Sequence, residues 1–545
     1  MTLGSIHNYP QNSMIAIIIP YLHPKIITPM KNKSLFPSIL FLTIWIQAFA
    51  QNTPTSLPPF LRDSLDTYVN RALAQWKIPG VAVAVVKDGQ LVLAKGYGLR
   101  EVGKPEKVDA NTLFAIGSNT KAFTGTALAM LENDGLCQLD DPVVKYLPSF
   151  KMKDDWVAQH LNLQDIVSHR IGMETFQGDF MYWTSDLTQD QVIEKFGKLT
   201  PMYPFRTKWG YTNAGFLLAG KCIERISGKS WEDNLRQRIF QPLKMNRTLA
   251  LSAEIDRATN AARAHTIHPA TGELMEIPYG KIDNLAPAGS IFSSVEDMSH
   301  WLLAQLDSGR YEGQTVLPMK VLQRTRQPLS IEGRRNTTSY GIRRHYALYG
   351  MGWELSDYNG WEEVSHTGGV NGFVTSVTLY PEQKLGIVVL TNTDANAFYI
   401  ALKREILDAY LGLPYRNYSG VFYDGNQAQN VEQMQLVRQM RDTIAQHPTT
   451  ELALEKYAGH YENEVYGTLD MKKDGNSLKL IFQHHPDLIG KLEPLGGSRF
   501  LLSFNDPLFG IKPVSFTLEN GAVKLFTLQL ADFVEFTTYD FIRKG

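Results

Sequence analysis

The chain has 545 residues, 43% of them hydrophobic and 20% charged, with a net charge of -1. This is the composition of a globular protein whose core is large enough to need no staples. The charge gives no electrostatic reason to bind nucleic acid or an anionic membrane, and the only two cysteines, Cys137 and Cys222, are too few for a C-x-x-C metal cluster or a disulfide framework. One Cys137–Cys222 bridge is allowed; the ordinary reading is two small buried hydrophobes.

The N-terminus has the pattern of an export signal. Met30-Lys31-Asn32-Lys33 is a basic start, Leu35 to Ile46 an apolar run, and Ala48-Phe49-Ala50 a small-x-small site, so cleavage is expected after Ala50, in a periplasmic or secreted protein. The run is short for a transmembrane helix, so no stable membrane insertion is expected after cleavage; a retained anchor is the alternative. Met30 competes with Met1 as the start.

Apolar residues at Leu61, Leu65, Tyr68 and Ala72 have helical spacing, which Pro79-Gly80 ends. Val81–Val86 and Leu91–Ala94 flank Asp88-Gly89, a hairpin pattern. Ser118 to Leu131 is apolar almost all round, as in a buried helix. Further helices are expected at Asp165–Val167, Tyr211–Ile226, Ser293–Leu306 and Ala397–Leu411, and a hairpin at Val374–Tyr380 and Leu385–Thr391. The economical arrangement is an α+β fold: one antiparallel sheet flanked by the terminal helices, with a helical lobe inserted. Val431, Met434, Val437 and Ile444 then suggest an amphipathic helix. Short strands follow, with turns at Asp474-Gly475-Asn476, Gly496-Gly497 and Asn520-Gly521, as in a small all-β barrel-like domain or sandwich. The expected organisation is an N-terminal extension and signal peptide (1–50), a main domain (51–417), a helical linker (418–449) and a β-rich accessory domain (450–545).

Three short motifs carry chemistry. In Ser118-Asn119-Thr120-Lys121, a hydroxyl and an amine three residues apart at a helix start share one face. Serine needs a partner to take its proton before it can attack a carbonyl. Lys121 qualifies if burial and the positive helix end disfavour its charged form. Tyr211, in Tyr211-Thr212-Asn213, is the other candidate, as a phenolate stabilised by a nearby ammonium; a coupled pair has no separable pKa values. Asn213 could bond Lys121 or a substrate amide. His366-Thr367-Gly368-Gly369 suits an edge strand whose backbone approaches substrate closely. The N–H of Ser118 and one from the Gly368-Gly369 stretch would form an oxyanion hole. Asp179 and Trp183 are further candidates for a pocket wall, and His169-Arg170 reads as a loop brace. His484-His485 has no companion ligands that would support a metal site.

In this order, the motifs resemble the serine β-lactamase and penicillin-binding-protein superfamily, for which Ser-x-x-Lys is a recorded signature. Tyr-x-Asn in second place is similar to the branch of class C β-lactamases, D-aminopeptidases and esterases. So are the stretches around Asp140-Asp141-Pro142, Ser168–Gly172, Pro287–Ser290 and Tyr349–Trp353. The resemblance spans roughly residues 60–412; residues from about 450 onward resemble the β-rich domain attached to some of these hydrolases. It implies a β-lactamase/transpeptidase-like fold and an acyl-enzyme on Ser118. Lys121 would be the base partner, Tyr211 the donor to the leaving group or base for water, and Gly369 an oxyanion donor. Neither metal nor organic cofactor is implied. The expected substrate is a small molecule or peptide with an ester or amide bond; the oligomeric state is left open. The departure is His366, where penicillin-recognising members usually carry lysine. A mostly neutral imidazole is a poor anchor for a carboxylate. That favours an esterase or a D-amino-acid or peptide hydrolase over a β-lactamase or a D,D-carboxypeptidase; a non-catalytic cell-wall-peptide binder would be marked by loss of Ser118, Lys121 or Tyr211, and all three are present.

Overall fold

Along strand β1 (Gly80–Lys87) the side chains alternate between two cores. Val81, Val83 and Val85 enter one hydrophobic cluster; Ala82, Ala84 and Val86 enter the other. A strand buried on both faces must lie inside a sheet with layers on either side. The protein, seen here as a computed structural model that describes residues 57–339 and 342–544, is built that way. The expected export signal and its cleavage point after Ala50 lie outside the described residues.

The sheet has eight strands. After β1 come β2 (Gln90–Gly98), β3 (Ser330–Ser339), β4 (Ile342–Tyr349), β5 (Glu354–Tyr358), β6 (Trp361–Val370), β7 (Phe373–Tyr380) and β8 (Leu385–Thr391). Their spatial order is β2-β1-β8-β7-β6-β5-β4-β3, so the chain's two sheet-forming segments meet where β1 pairs antiparallel with β8, Val81 opposite Thr391. Helices α1 (Leu65–Trp76) and α5 (Phe398–Tyr410) cover one face through Leu65, Val69, Trp76, Leu402 and Ile406. The other face carries the helical lobe, including α2 (Thr120–Asn133), α3 (Asn213–Ser227) and α4 (Val295–Leu306). Phe123 of α2 stacks on Trp301 of α4 at 4.2 Å, and both are fully buried.

Two local expectations are corrected. The third motif is not on an edge strand: β6 lies between β5 and β7. Its pairing with β5 nevertheless ends at Glu354–Ser365, while pairing with β7 runs on to Val370–Phe373. Residues 366–370 thus have one backbone edge that β5 does not cover. Tyr211 precedes α3 instead of opening it; Thr212 is the cap residue. Cys137 and Cys222 are both buried and free, which agrees with their ordinary reading as small buried hydrophobes.

After α5, a long helix α6 (Tyr418–Ala445) leads into a closed antiparallel barrel of eight strands, from Gly459–Asn463 to Tyr539–Lys544. Of the four apolar positions that suggested α6, only Val437 is buried. The barrel's first and last strands pair, Tyr461 opposite Arg543, which removes its edges. Its interior is aromatic: Tyr461, Phe500, Phe526 and Phe541 are fully buried. The three glycine-containing turns fall between consecutive strands as the sequence indicates. Among the described residues, no helix is long and apolar enough to cross a membrane.

Candidate active site

Ser118 is the middle residue of a tight helical turn, Gly117–Asn119, that runs into α2. The turn is tied to the sheet beneath it. The Asn119 side chain donates to Ile116 O (3.0 Å) and to Thr375 Oγ1 on β7 (2.9 Å), and Thr375 donates to Ile116 O (2.9 Å). Gly117 has φ +53°, and a Cβ on it would stand 2.8 Å from the backbone N of Gly369. Only glycine combines that conformation with that approach, and the result sets the uncovered edge of β6 against the Ser118 turn.

Lys121 follows one turn along α2 and has no exposed surface. Its Nζ lies 2.9 Å from Ser118 Oγ and 2.8 Å from Ala288 O, and 4.8 Å from the ring centre of Tyr211. Burial drives its pKa well below the usual 10.5; the Asp179 charge reverses only part of this. A neutral amine fits both contacts: it donates one N–H to the Ala288 carbonyl and offers its lone pair to the Ser118 hydroxyl.

Tyr211 lies in the segment before α3. Its carbonyl accepts from Phe176 N (2.9 Å), and its ring lies 4.4 Å from the His169 ring. His169 Nδ1 accepts the N–H of Thr212 (3.0 Å), which bears out the loop brace. The phenol is desolvated, and this raises its pKa well above 10, with a hydrogen bond to Ser118 offsetting only part. The phenolate that the sequence left open is therefore disfavoured: burial outweighs the hydrogen bond from Ser118.

Asn213, the first residue of α3, bonds to Asp179 and not to Lys121: its Nδ2 donates to Asp179 Oδ2 at 2.7 Å. Asp179 is buried, and desolvation together with the nearby Glu535 charge raises its pKa well above the normal range. On β6, His366 is 2% exposed and both ring nitrogens are used. Nδ1 lies 2.5 Å from Thr367 O and Nε2 2.9 Å from Tyr349 Oη. Because a carbonyl can only accept, Nδ1 carries the proton and Nε2 accepts from the tyrosine. Burial and the Lys121 charge push the imidazole down to about 3, so it is neutral at physiological pH.

A cavity of about 260 Å³ opens onto these groups. It is lined by Ser118, Tyr211, Asn213, His366 and Gly369, as expected, and by Asp179 and Trp183. Sequence reasoning missed Phe176, Trp209, Glu354 and Phe533 in the same lining. It also gave no role to Tyr349, although the stretch beginning there contributed to the resemblance. Nothing local marks Phe533, which lies in the barrel more than 400 residues from Ser118. The Ala288 carbonyl that holds Lys121 comes from the Pro287–Ser290 stretch, another part of the resemblance. Among the described residues lining this cavity there is no arginine or lysine, and there are two carboxylic acids, Asp179 and Glu354.

Comparison with known proteins agrees with this picture. The β-lactamase family profile matches residues 65–411, and a domain of unknown function, DUF3471, matches residues 445–541. An unguisins hydrolase from Aspergillus violaceofuscus is 28% identical over 447 residues, covering 76% of each chain. The protein flp of Staphylococcus aureus strain MRSA252 is 26% identical over 373 residues, 66% of this chain and 68% of its own. Among solved structures, the octameric penicillin-binding protein homologue from Pyrococcus abyssi superposes with a TM-score of 0.53, at 22% identity, over 88% of this chain and 99% of its own. SurE superposes at 0.52 with 19% identity, over 89% and 99% of the two chains. The chain belongs to the β-lactamase family and is a serine hydrolase of that superfamily, with a C-terminal eight-stranded barrel.

Proposed function

We propose that this β-lactamase-family hydrolase cleaves uncharged ester or amide bonds, of the esterase or peptide-hydrolase type, through an acyl-enzyme on Ser118. The observation that carries the proposal is the Lys121 amine: fully buried, its pKa lowered by that burial, and 2.9 Å from the Ser118 hydroxyl. Lys121 takes the Ser118 proton as Oγ attacks the carbonyl carbon, a role worth roughly 10²–10⁴-fold for a well-placed base. The developing oxyanion is held by the backbone N–H groups of Ser118 and Gly369. Tyr211, kept protonated by desolvation, delivers a proton to the departing alkoxide or amine, and the proton on Lys121 replaces it. Water then attacks the acyl-enzyme with Lys121 again as base, and Ser118 is regenerated. Asn213, held by Asp179, faces the acyl group's amide or ester oxygen.

The substrate class follows from charge. The His366 imidazole is neutral, and both its nitrogens are committed to Thr367 and Tyr349. It cannot take the place of a lysine that anchors a substrate carboxylate. The cavity lining supplies no replacement cation among its described residues. Both points weigh against β-lactams and D,D-peptides, whose carboxylate lies near the scissile bond. The relative named as an unguisins hydrolase supports a hydrolytic reaction. The test is a panel on the full chain: p-nitrophenyl esters, D-amino-acid p-nitroanilides and a chromogenic cephalosporin. Esters or anilides should have the highest kcat/KM; a cephalosporin turned over faster than both overturns the substrate class. Labelling by a fluorophosphonate that survives Ser118→Ala overturns the nucleophile. The basic, apolar and small-residue pattern ahead of residue 51 supports an exported enzyme; a mature N-terminus other than Gln51 would refute that cleavage point.

A further inference from the structure

The barrel is built into the cavity. Its loop between Ala522–Leu528 and Tyr539–Lys544 brings Phe533 into the cavity lining with Ser118. Phe533 Cε2 lies 3.2 Å from where a Cβ on Gly369 would stand, and its ring centre is 5.7 Å from that of Trp183. The aromatic ring therefore covers the strand segment beside Ser118 and closes one side of the space between that strand and the helical lobe.

The loop is fastened on both flanks. Buried Glu535 accepts the backbone N–H of Gly178 (2.7 Å) and of Phe180 (3.1 Å), on either side of Asp179. It is also bonded within the barrel by the hydroxyls of Tyr466, Thr537 and Tyr539. Phe536 stacks on Phe176 at 5.5 Å. A second barrel loop grips the same segment: His485 Nε2 bonds Phe180 O (2.8 Å) with the two rings stacked, and His484 pairs with Asp186 (3.0 Å). With so many directional contacts, Phe533 is a fixed wall.

We infer that Phe533 is a specificity-determining residue of this hydrolase: its ring limits the bulk of the acyl group that can lie along Gly369, and the accessory barrel thereby sets substrate size. This rests on the acyl-enzyme reading above. Aromatic contact area on a slim acyl group would be lost on truncation, while bulkier acyl groups would gain room.

The experiment uses the full chain as wild type, Phe533→Ala and Phe533→Leu, with p-nitrophenyl acetate and octanoate as substrates and fluorophosphonate labelling of Ser118 as a report on the folded site. The octanoate-to-acetate ratio of kcat/KM should rise about tenfold or more in Phe533→Ala, and by less in Phe533→Leu, as expected for a pocket enlarged by several carbons. An unchanged ratio with labelling intact overturns the wall, while the serine-hydrolase reading stands. Loss of labelling in both variants also overturns it, because the ring would then be a structural strut. Labelling and ester turnover that both persist in Ser118→Ala would instead overturn the acyl-enzyme reading on which it rests.

Discussion

Replacing Lys121 by methionine keeps most of the side-chain volume and removes the amine. Two consequences can be worked from the structure. The first is kinetic: loss of a general base costs about 10²–10⁴-fold, or about 3–5 kcal/mol in the barrier. Acylation by a p-nitrophenyl ester, followed by stopped-flow, should slow by that factor while KM changes little. The second is thermodynamic. Lys121 binds its proton less tightly when folded than its ordinary 10.5 when unfolded. Between those two values the unfolded chain holds more protons, so this residue makes stability rise with pH across the window and penalises the fold fully below it. The slope contributed by one such group approaches about 1.4 kcal/mol per pH unit. Urea denaturation of wild type and Lys121→Met at about pH 7.5 and about pH 9.5 should show that the mutant lacks this slope. At the lower pH the mutant should be no less stable than wild type, apart from about 1–3 kcal/mol for the Ala288 carbonyl left without a donor. Wild-type acylation in the mutant, or identical pH slopes in the two proteins, would refute the neutral-amine argument.

Gly117→Ala places a methyl group 2.8 Å from Gly369 N at φ +53°; about 1–2 kcal/mol of backbone strain is expected, with a drop in kcat larger than the loss of stability accounts for, measured by thermal melting beside ester turnover. His366 is held down to about 3 by burial, so the unfolded chain takes up a proton first as pH falls through 6.5; stability should decline from there toward pH 3, and His366→Gln should flatten that part of the acid-denaturation curve. Asp179 is raised well above the normal carboxylate range, so Asp179→Asn should keep ester turnover at neutral pH within a few-fold. Asp179→Ala leaves the Asn213 amide without its partner and should cost about 1–3 kcal/mol; equal damage from both substitutions would show that the charge, not the hydrogen bond, matters.

Much of the architecture was legible because its residues act locally. Valine alternating with alanine in β1, Asp88-Gly89 between apolar runs, and glycine turns at 474–476 and 520–521 each dictate a short-range geometry that the fold then uses. Ser118 and Lys121 were legible for the same reason, since one helical turn brings them together whatever surrounds it. Where neighbours decide the outcome, local pattern was not enough. For Tyr211 and Lys121 the local pattern left the base open, and desolvation in the folded protein disfavours the charged form of both groups. Asn213 was free on paper to reach Lys121, and packing gave it Asp179 instead.

The sequence by itself determined the nucleophile–amine pair, the sheet with its covering helices and the presence of a terminal barrel, because each is written in residues close along the chain. Only the tertiary structure decided that β5 stops short and leaves the Gly369 edge uncovered, that both nitrogens of His366 are occupied, and that Phe533 from the barrel lines the cavity. The physical reason is common to all three: burial and hydrogen-bond satisfaction depend on which atoms packing brings together, whether 17 residues apart, as with Tyr349 and His366, or more than 400, as with Phe533 and Ser118, and no periodicity or spacing records them.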